Sequence, residues 1–179
     1  DWYRSRGLGD VYKRQSGWFI EKDWVVWIPG GVVGLNVTCK TVLAPGELAM
    51  VPSPIYAPFT EAPENMERGF IKTHLFDSQG RLEFDMDAIE TLLTDDTKLF
   101  FLCNPQNPGG TVFSEGELKE ISKVCEDRKI IVCSDEIHAD LILEEGLKHI
   151  PYASLNKHNE NNSITIMGPC LLYTSPSPR

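Results

Sequence analysis

Residues 129–140, KIIVCSDEIHAD, decide the fold of this chain. A run of β-branched and other apolar residues ends abruptly in the acids Asp135 and Glu136, and such a run is typical of a buried strand in a parallel sheet. The carboxyl ends of the strands in an open α/β sheet line the crevice that binds ligands. Asp135 is therefore a candidate ligand-binding residue, although an acid in this place also serves simply to cap the next turn.

Strands and helices alternate on both sides of this stretch. The predicted strands cover residues 24–28, 48–51, 70–75, 98–103, 130–134 and 163–167, and the predicted helices cover residues 32–42, 55–62, 86–93, 115–128 and 152–155. Asp85 is placed to cap one of these helices, and Ser114 with Glu117 has the spacing of a capping box at the start of another. This order predicts an α/β fold with a mostly parallel sheet and helices on both faces.

Composition narrows the range of partners. The chain has 179 residues and a formal net charge of −9. Without a basic face it is not expected to bind nucleic acid or an anionic membrane, and no stretch has the apolar length of a membrane span. Its five cysteines have no CxxC spacing. They predict a reduced, cytoplasmic protein without a structural metal site, and the expected ligand is a small molecule.

Four loops at the ends of predicted strands are expected to meet above one crevice: residues 29–32, 53–56, 104–110 and 135–138. They supply a glycine turn that opens a helix, an aromatic ring, carboxamides, a carboxylate and an imidazole. The free N–H groups of the turn favour a phosphate, and Tyr56 is suited to stacking on a flat ring. The set fits a phosphorylated heteroaromatic ligand. Each member also has a plainer interpretation as a turn, a core ring or a self-capping side chain.

Three motifs carry a family resemblance: PSPIYAPF at residues 52–59, NPQNPGG at 104–110 and SDEIHAD at 134–140. Together they resemble the class I/II aminotransferase superfamily of pyridoxal phosphate (PLP) enzymes, which have fold type I. The histidine after Asp-Glu-Ile and the Ser-Pro-x-Tyr-x-Pro-Phe stretch are most similar to the cystathionine β-lyase, or cysteine-S-conjugate β-lyase, branch. The resemblance covers residues 16–169 and implies that they are a partial PLP-binding large domain.

The resemblance implies a role for each loop after the later strands. Asp135 would pair with the protonated pyridine nitrogen of PLP, so that the ring accepts electrons from a substrate carbanion. Asn107 would donate a hydrogen bond to the phenolic oxygen of the ring. His138 would lie near the same oxygen or the ring edge.

The earlier loops are assigned roles in the same way. Tyr56 would stack on the ring, and Gly31 and Val32 would offer backbone N–H groups to the phosphate. The family also suggests cis peptides at Ser53-Pro54 and Asn107-Pro108, which would bend both loops into the site.

The sequence departs from the family in three places. The usual Pro-Gly-Val-Val-Pro is PGGVV at residues 29–33, and Gly109 stands where threonine is common. After Gly168 the family continues Pro-Ser-Lys, and that lysine forms the Schiff base with the cofactor. Here Cys170 and Leu171 occupy the last two positions. Without the lysine there is no positioned base for the α-proton, so we assign no catalytic residue and expect this chain to be inactive.

The two ends match no pattern in the body of the chain. We expect residues 1–15 and 170–179 to be foreign to the enzyme, because they resemble translated adapter sequence, and residues 16–169 to be an internal piece. The predicted parent is a cytoplasmic homodimer that eliminates a thiol from a cysteine conjugate such as cystathionine, with ammonia and pyruvate as the other products. An aminotransferase is the first alternative, and a non-catalytic α/β fragment or regulatory module is the second.

Overall fold

The computed structural model describes residues 18–168. The expected foreign ends, with Cys170 and Leu171, lie outside the described residues. The strands are β1 (Leu48–Ser53), β2 (Gly69–Ser78), β3 (Arg81–Phe84), β4 (Thr97–Cys103), β5 (Ile131–Asp135) and β6 (Ser163–Ile166). The α-helices are α1 (Gly31–Val42), α2 (Pro58–Asn65), α3 (Met86–Leu92), α4 (Glu115–Arg128) and α5 (Lys157–Asn161), with 3-10 turns at Lys22–Trp24 and Tyr152–Ser154.

The strands form one six-stranded sheet in the order β3-β2-β1-β4-β5-β6. All neighbours are parallel except β3, which pairs antiparallel with β2. The chain runs outward from β1 to β2 and β3 on one side, and from β4 to β6 on the other. The direction of winding therefore reverses between β1 and β4, and a crevice opens at the carboxyl ends of strands at such a reversal.

The helices cover both faces of the sheet, as the sequence predicts. Alternate residues of β4 point to opposite faces, so that Phe101 packs with Leu35 of α1 and Phe59 of α2. Phe100 packs on the other face with Ile89 of α3 and Leu118 of α4. Nearly all of these side chains are inaccessible to solvent. The fold is thus two hydrophobic layers around a shared sheet.

The predicted helix starts are confirmed by their hydrogen bonds. The Asp85 carboxylate accepts from Ala88 N at 2.9 Å at the start of α3. At the start of α4, Ser114 Oγ accepts from Glu117 N at 3.3 Å, and the Glu117 carboxylate accepts from Ser114 N at 2.8 Å. Caps depend on residues within one turn of each other, which is why the sequence predicts them correctly.

The strand predicted at residues 24–28 is wrong. A 3-10 turn precedes it, and the segment then runs without a neighbouring strand among the described residues. Val26 and Trp27 are 77% and 54% exposed. Ile28 lies over α1, where its Cδ1 is 2.6 Å from the position that a Cβ on Gly34 would take. The apolar run therefore packs against a helix rather than joining the sheet.

Helices α1 and α2 differ in detail from the prediction. Helix α1 begins at Gly31, one residue before the predicted start; Leu35 and Cys39 are buried, whereas Val33 and Val37 are exposed. Helix α2 begins at Pro58 rather than at residue 55, because proline at the first helical position has the φ angle that a helix start requires.

Two elements are absent from the prediction. The turn after β2 closes with Gly80 N donating to Asp77 Oδ1 at 2.6 Å, and β3 follows as the second strand of a hairpin. The short helix α5 begins at its cap Asn156, whose side chain accepts from Asn159 N at 2.8 Å. Within residues 18–168, no helix is long and apolar enough to cross a membrane.

Candidate cofactor site

The end of β5 is held in place by the neighbouring strands β4 and β6. Asp135 aligns with Cys103 at the end of β4 and with Ile166 at the end of β6. Asn104 N donates to Asp135 O at 3.0 Å, and Glu136 N donates to Ile166 O at 2.9 Å. The backbone at the strand end is therefore fixed by both neighbouring strands.

The Asp135 side chain points to the face of the sheet that α1 covers. Cys133, two residues earlier, is in the core beneath α1, and alternate residues of a strand share a face. Asp135 is 8% exposed, and its Oδ1 accepts from Ile137 N at 3.1 Å. Among residues 18–168, no group donates a hydrogen bond to Oδ2. One oxygen of a buried carboxylate is thus available to a ligand.

Burial raises the pKa of the Asp135 carboxyl group, and the neighbouring Glu136 charge adds to the rise. The hydrogen bond from Ile137 N and the nearby imidazole of His138 act in the opposite direction on that pKa, with smaller effect. A desolvated carboxylate gains most from a cation placed next to it. The site is therefore suited to a positively charged group of the ligand.

Helix α1 presents its amino terminus to the same crevice. Gly30 has φ +156° and ψ +158°, a conformation that only glycine adopts readily, and it gives no side-chain cap. The N–H groups of Gly31 and Val32 have no partner within the helix, which leaves them for an anion. A Cβ on Gly31 would lie 3.8 Å from Ile137 Cδ1. The helix terminus and the segment after Asp135 are therefore neighbours.

The loops after β1 and β4 are joined to each other. Tyr56 N donates to Asn107 O at 3.1 Å. Gln106 Nε2 donates to Pro54 O at 2.6 Å, and Gln106 Oε1 accepts from Gly109 N at 2.5 Å. The two loops consequently form one unit beside the end of β5.

The cis peptides that the resemblance implies are confirmed. Ser53-Pro54 and Asn107-Pro108 are both cis, and Asn104-Pro105 is a third that the sequence does not predict.

The six predicted site residues fall into two groups. Asp135 and His138 interact electrostatically at the end of β5, Gly31 lies against Ile137 between them in sequence, and Val32 is exposed next to Gly31. Tyr56 and Asn107 form the second group, in which the Tyr56 ring is 48% exposed. The groups are linked through Asn104, whose N–H bonds Asp135 and whose chain leads into the second loop. The structure gives no direct contact between the Asn107 and Asp135 side chains, so their roles toward a cofactor stay predictions.

The sequence did not predict a buried polar cluster on the other face of β5. Glu136 is inaccessible to solvent, and its carboxylate accepts from Ser134 Oγ, Tyr152 N and the His149 imidazole. The sequence gives His149 no role. The signal in the sequence was a second acid directly after a buried strand. A carboxylate that is buried there requires several hydrogen-bond donors around it, so it indicates a polar cluster.

Metal sites and disulfides depend on how histidine, cysteine and acidic side chains are arranged in the described part of the chain. No group of three or more histidine, cysteine or acidic side chains there is arranged to hold a metal ion. Cys39, Cys103, Cys125 and Cys133 are free and buried, and burial raises the pKa of the Cys103 thiol to about 12.

This fold is that of a partial large domain of the fold type I PLP enzymes. The chain belongs to the family of aminotransferases of class I and II, whose family model matches residues 8–169. The family consists of PLP-dependent enzymes.

Named relatives place the chain close to the lyases of this family. It is 34% identical over 158 residues to the cystathionine beta-lyase PatB of Bacillus subtilis, covering 88% of this chain and 41% of that protein. It is 35% identical over 168 residues to a cystathionine beta-lyase of Corynebacterium glutamicum, covering 89% and 42%. Proteins named as aminotransferases also match, among them YugH of B. subtilis at 30% identity.

A solved structure shows the same architecture. Cystalysin from Treponema denticola, whose crystal structure contains a pyridoxal 5'-phosphate cofactor, matches with a TM-score of 0.88 and 28% identity. The match covers 93% of this chain and 42% of cystalysin. The chain thus spans about two fifths of the length of the relatives it matches.

Proposed function

We propose that this chain holds PLP in the crevice at the carboxyl ends of β1, β4 and β5. The observation that carries the proposal is the buried Asp135 carboxylate, which has one oxygen without a donor among residues 18–168 and lies beside the open amino terminus of α1. PLP combines a pyridine ring that becomes cationic with an anionic phosphate. A buried acid and a helix amino terminus are the complementary groups for these two charges.

The other site residues would complete the binding of the ring. The N–H groups of Gly31 and Val32 would donate to the phosphate, which the absence of a side-chain cap on α1 supports. Asn107 would donate to the phenolic oxygen, and His138 would lie near the same edge of the ring. The exposed ring of Tyr56 would stack on the pyridine face, where it would lose its contact with solvent.

Bound PLP supplies an electron sink that stabilises a carbanion at the substrate α-carbon. The contribution of Asp135 is to hold a proton on the pyridine nitrogen. A protein carboxylate does this best where water is excluded, because the ion pair is then poorly screened. Burial raises the pKa of the Asp135 carboxyl, but a pyridinium at Oδ2 would favour the ionised carboxylate again.

The parent protein, in this proposal, cleaves the Cβ–S bond of a cysteine conjugate such as cystathionine. With one water consumed, the products are a thiol, ammonia and pyruvate. Relatives named as cystathionine beta-lyases support this reaction. Transamination is the alternative, since proteins named as aminotransferases match as well. Leu171 stands at the family's lysine position, so we expect this chain itself to release no pyruvate.

We also propose that the parent is a cytoplasmic homodimer. The support is the outer face of α1, where Val33 and Val37 lie one helical turn apart and are 40% and 50% exposed, and the exposed Val26 and Trp27 precede this helix in the chain. An apolar patch of this kind on a single chain is typical of a surface that another protein covers.

Binding of a cofactor analogue tests the central proposal. The probe is 4-deoxypyridoxine 5'-phosphate, which has no aldehyde and therefore needs no lysine. We expect the purified chain to bind it with the ring nitrogen protonated at neutral pH, as read from the ultraviolet spectrum. Asp135→Asn should weaken binding at least tenfold, about 1.4 kcal/mol, and leave the bound ring neutral. Equilibrium dialysis measures the affinity.

Asp140→Asn is the matched control, because it removes an exposed carboxylate from the same loop. It should bind the analogue as the unmodified chain does. Absence of binding by the unmodified chain would favour a non-catalytic α/β module and refute the proposal. In the parent protein, two assays would distinguish the two enzyme classes. A lyase would release pyruvate from cystathionine, whereas an aminotransferase would exchange an amino group with a keto acid.

A further inference from the structure

A second buried acid, Glu136, lies next to Asp135 but on the opposite face of the sheet, and in the described part of the chain it accepts more hydrogen bonds than Asp135 does. Glu136 has no solvent exposure. Its Oε1 accepts from Ser134 Oγ at 2.8 Å and from Tyr152 N at 3.0 Å, and its Oε2 lies 2.8 Å from His149 Nε2. Tyr152 belongs to the core beneath α4, which places this carboxylate away from the crevice. Glu136 therefore does not face the proposed cofactor.

These hydrogen bonds close a loop. Glu136 is followed by residues 137–148, and the same carboxylate then binds His149 and the backbone of Tyr152. One side chain thus ties the beginning of the loop to its end. Because the carboxylate is fully buried, losing any of the three donors would leave a costly unsatisfied charge. The loop has one strongly preferred position at its base.

The beginning of this loop lies between Asp135 and the amino terminus of α1. Ile137 N donates to Asp135 Oδ1 at 3.1 Å, so the orientation of the Asp135 carboxylate depends on where Ile137 lies. The Ile137 side chain also lies against α1 at Gly31. His138 follows directly. A shift of the loop base would therefore also move the hydrogen-bond donor of Asp135, the contact with the helix terminus and the imidazole of His138.

We infer that Glu136 is a positioning residue for the cofactor site: by tying residues 149 and 152 to the end of β5, it orients Asp135 and His138 toward the crevice. This inference rests on the proposed function, but its first consequence concerns the chain without any ligand. Glu136 never touches the cofactor and acts through Ile137.

Two substitutions at position 136 show whether the hydrogen bonds of the side chain matter: one keeps its shape and its bonding groups, and the other removes them. Glu136→Gln keeps an oxygen for Ser134 and Tyr152, and its amide group donates to His149 Nε2 when the imidazole proton is on Nδ1. Glu136→Ala removes both acceptor oxygens and with them all three hydrogen bonds. His149→Ala removes one connection at the far end of the loop and leaves the carboxylate with its two remaining donors.

Amide hydrogen exchange in the ligand-free chain provides the first measurement. The Ile137 amide, which bonds the Asp135 side chain, should exchange at least tenfold faster in Glu136→Ala and in His149→Ala. In Glu136→Gln it should exchange within about threefold of the unmodified chain. The Ala88 amide is the internal control, because it makes the same type of bond to Asp85 at the start of α3, outside the loop that Glu136 closes. It should not change in any variant.

Binding of 4-deoxypyridoxine 5'-phosphate provides the second measurement. We expect Glu136→Ala and His149→Ala to lower the affinity at least fivefold and to reduce the fraction of bound analogue with a protonated ring. Glu136→Gln should restore both values. A role limited to overall stability would change neither the ring protonation nor the difference between the Ile137 and Ala88 amides.

Several outcomes would overturn the inference. One is an unchanged Ile137 amide in His149→Ala, which tests the loop even if Glu136→Ala does not fold. Another is equal acceleration of the Ile137 and Ala88 amides. A third is normal analogue binding by His149→Ala while Ile137 exchanges fast. If the unmodified chain fails to bind the analogue, the proposed function fails, whereas the exchange data still decide whether Glu136 holds the loop.

Discussion

Asp135 is a residue whose charged form is disfavoured by its place in the fold. Its carboxyl group lies at the end of a buried strand with one N–H donor, and burial raises its pKa. In solution both oxygens would be hydrated. The folded chain thus carries a charge in a position that favours the neutral acid, and a site of this kind commonly trades stability for function.

This conflict predicts that Asp135→Asn stabilises the cofactor-free chain. Because the folded-state pKa is raised, the folded protein holds its proton over a range where the unfolded chain has released it. The stability of the unmodified chain therefore falls as the pH rises from the usual aspartate value, about 3.9, to the folded-state pKa. Asp135→Asn should escape this loss.

Urea unfolding between pH 3 and pH 7 measures the effect. The variant should match the unmodified chain near pH 3 and exceed it near pH 7 by about 1.4 kcal/mol for each unit of the pKa rise. Asp140→Asn should show no such divergence. A variant that is less stable at pH 7 would contradict the prediction and would mean that the carboxylate is stabilised by the fold.

The start of α4 shows how an element is anchored at several points. Ser114 and Glu117 cap the helix, and Glu117 also receives a two-pronged hydrogen bond from Arg81 of β3 at 2.6 and 2.7 Å. Arg81 in turn donates to Val112 O, just before the helix. The hairpin β2–β3 is therefore attached to α4 through a partly buried ion pair, which favours a single position for both elements.

At this scale we predict that Ser114→Ala lowers the free energy of unfolding by about 1 kcal/mol, because Glu117 N loses its acceptor. Glu120→Ala is the control on the same helix, since Glu120 is exposed and takes no part in the cap. Its effect should stay within about 0.5 kcal/mol. Thermal unfolding followed by circular dichroism measures both. Equal losses in the two variants would show that the cap is not what stabilises the helix start.

The molecule as a whole has an uneven surface. One side of α1 is buried against the sheet, while Val33 and Val37 on its other side are exposed, as are Val26 and Trp27 before the helix. An amphipathic helix normally turns polar residues to solvent. The apolar outer face of α1 thus suits contact with a second protein chain, in agreement with the homodimer proposed for the parent.

We therefore predict that this chain associates with itself through that surface. Its sedimentation coefficient should rise with concentration in the micromolar range, and the double variant Val33→Lys, Val37→Lys should sediment as a monomer. Because both side chains are exposed, unfolding should change by less than about 1 kcal/mol. The control is Leu143→Lys, which places the same charge on an almost fully exposed residue elsewhere. Val112 would be less suitable for this purpose, because it is half-buried. Identical sedimentation of the double variant and the unmodified chain would exclude this surface.

Local patterns alone determined much of this protein. The strand before Asp135, the caps at Asp85 and Ser114 and the glycine start of α1 depend on residues close together in sequence, so periodicity and cap spacing predict them. The three motifs in order were sufficient to identify the family and four of the six candidate site residues, namely Tyr56, Asn107, Asp135 and His138.

Tertiary structure decided what depends on distant partners. Residues 24–28 have the composition of a strand, but no strand within residues 18–168 pairs with them. β3 forms because β2 is present to pair with it. The role of Glu136 depends on His149 and Tyr152, 13 and 16 residues away, and a buried carboxylate can be recognised as satisfied only when its donors have been brought together. Local sequence specifies which elements form, and long-range packing selects which of their side chains meet.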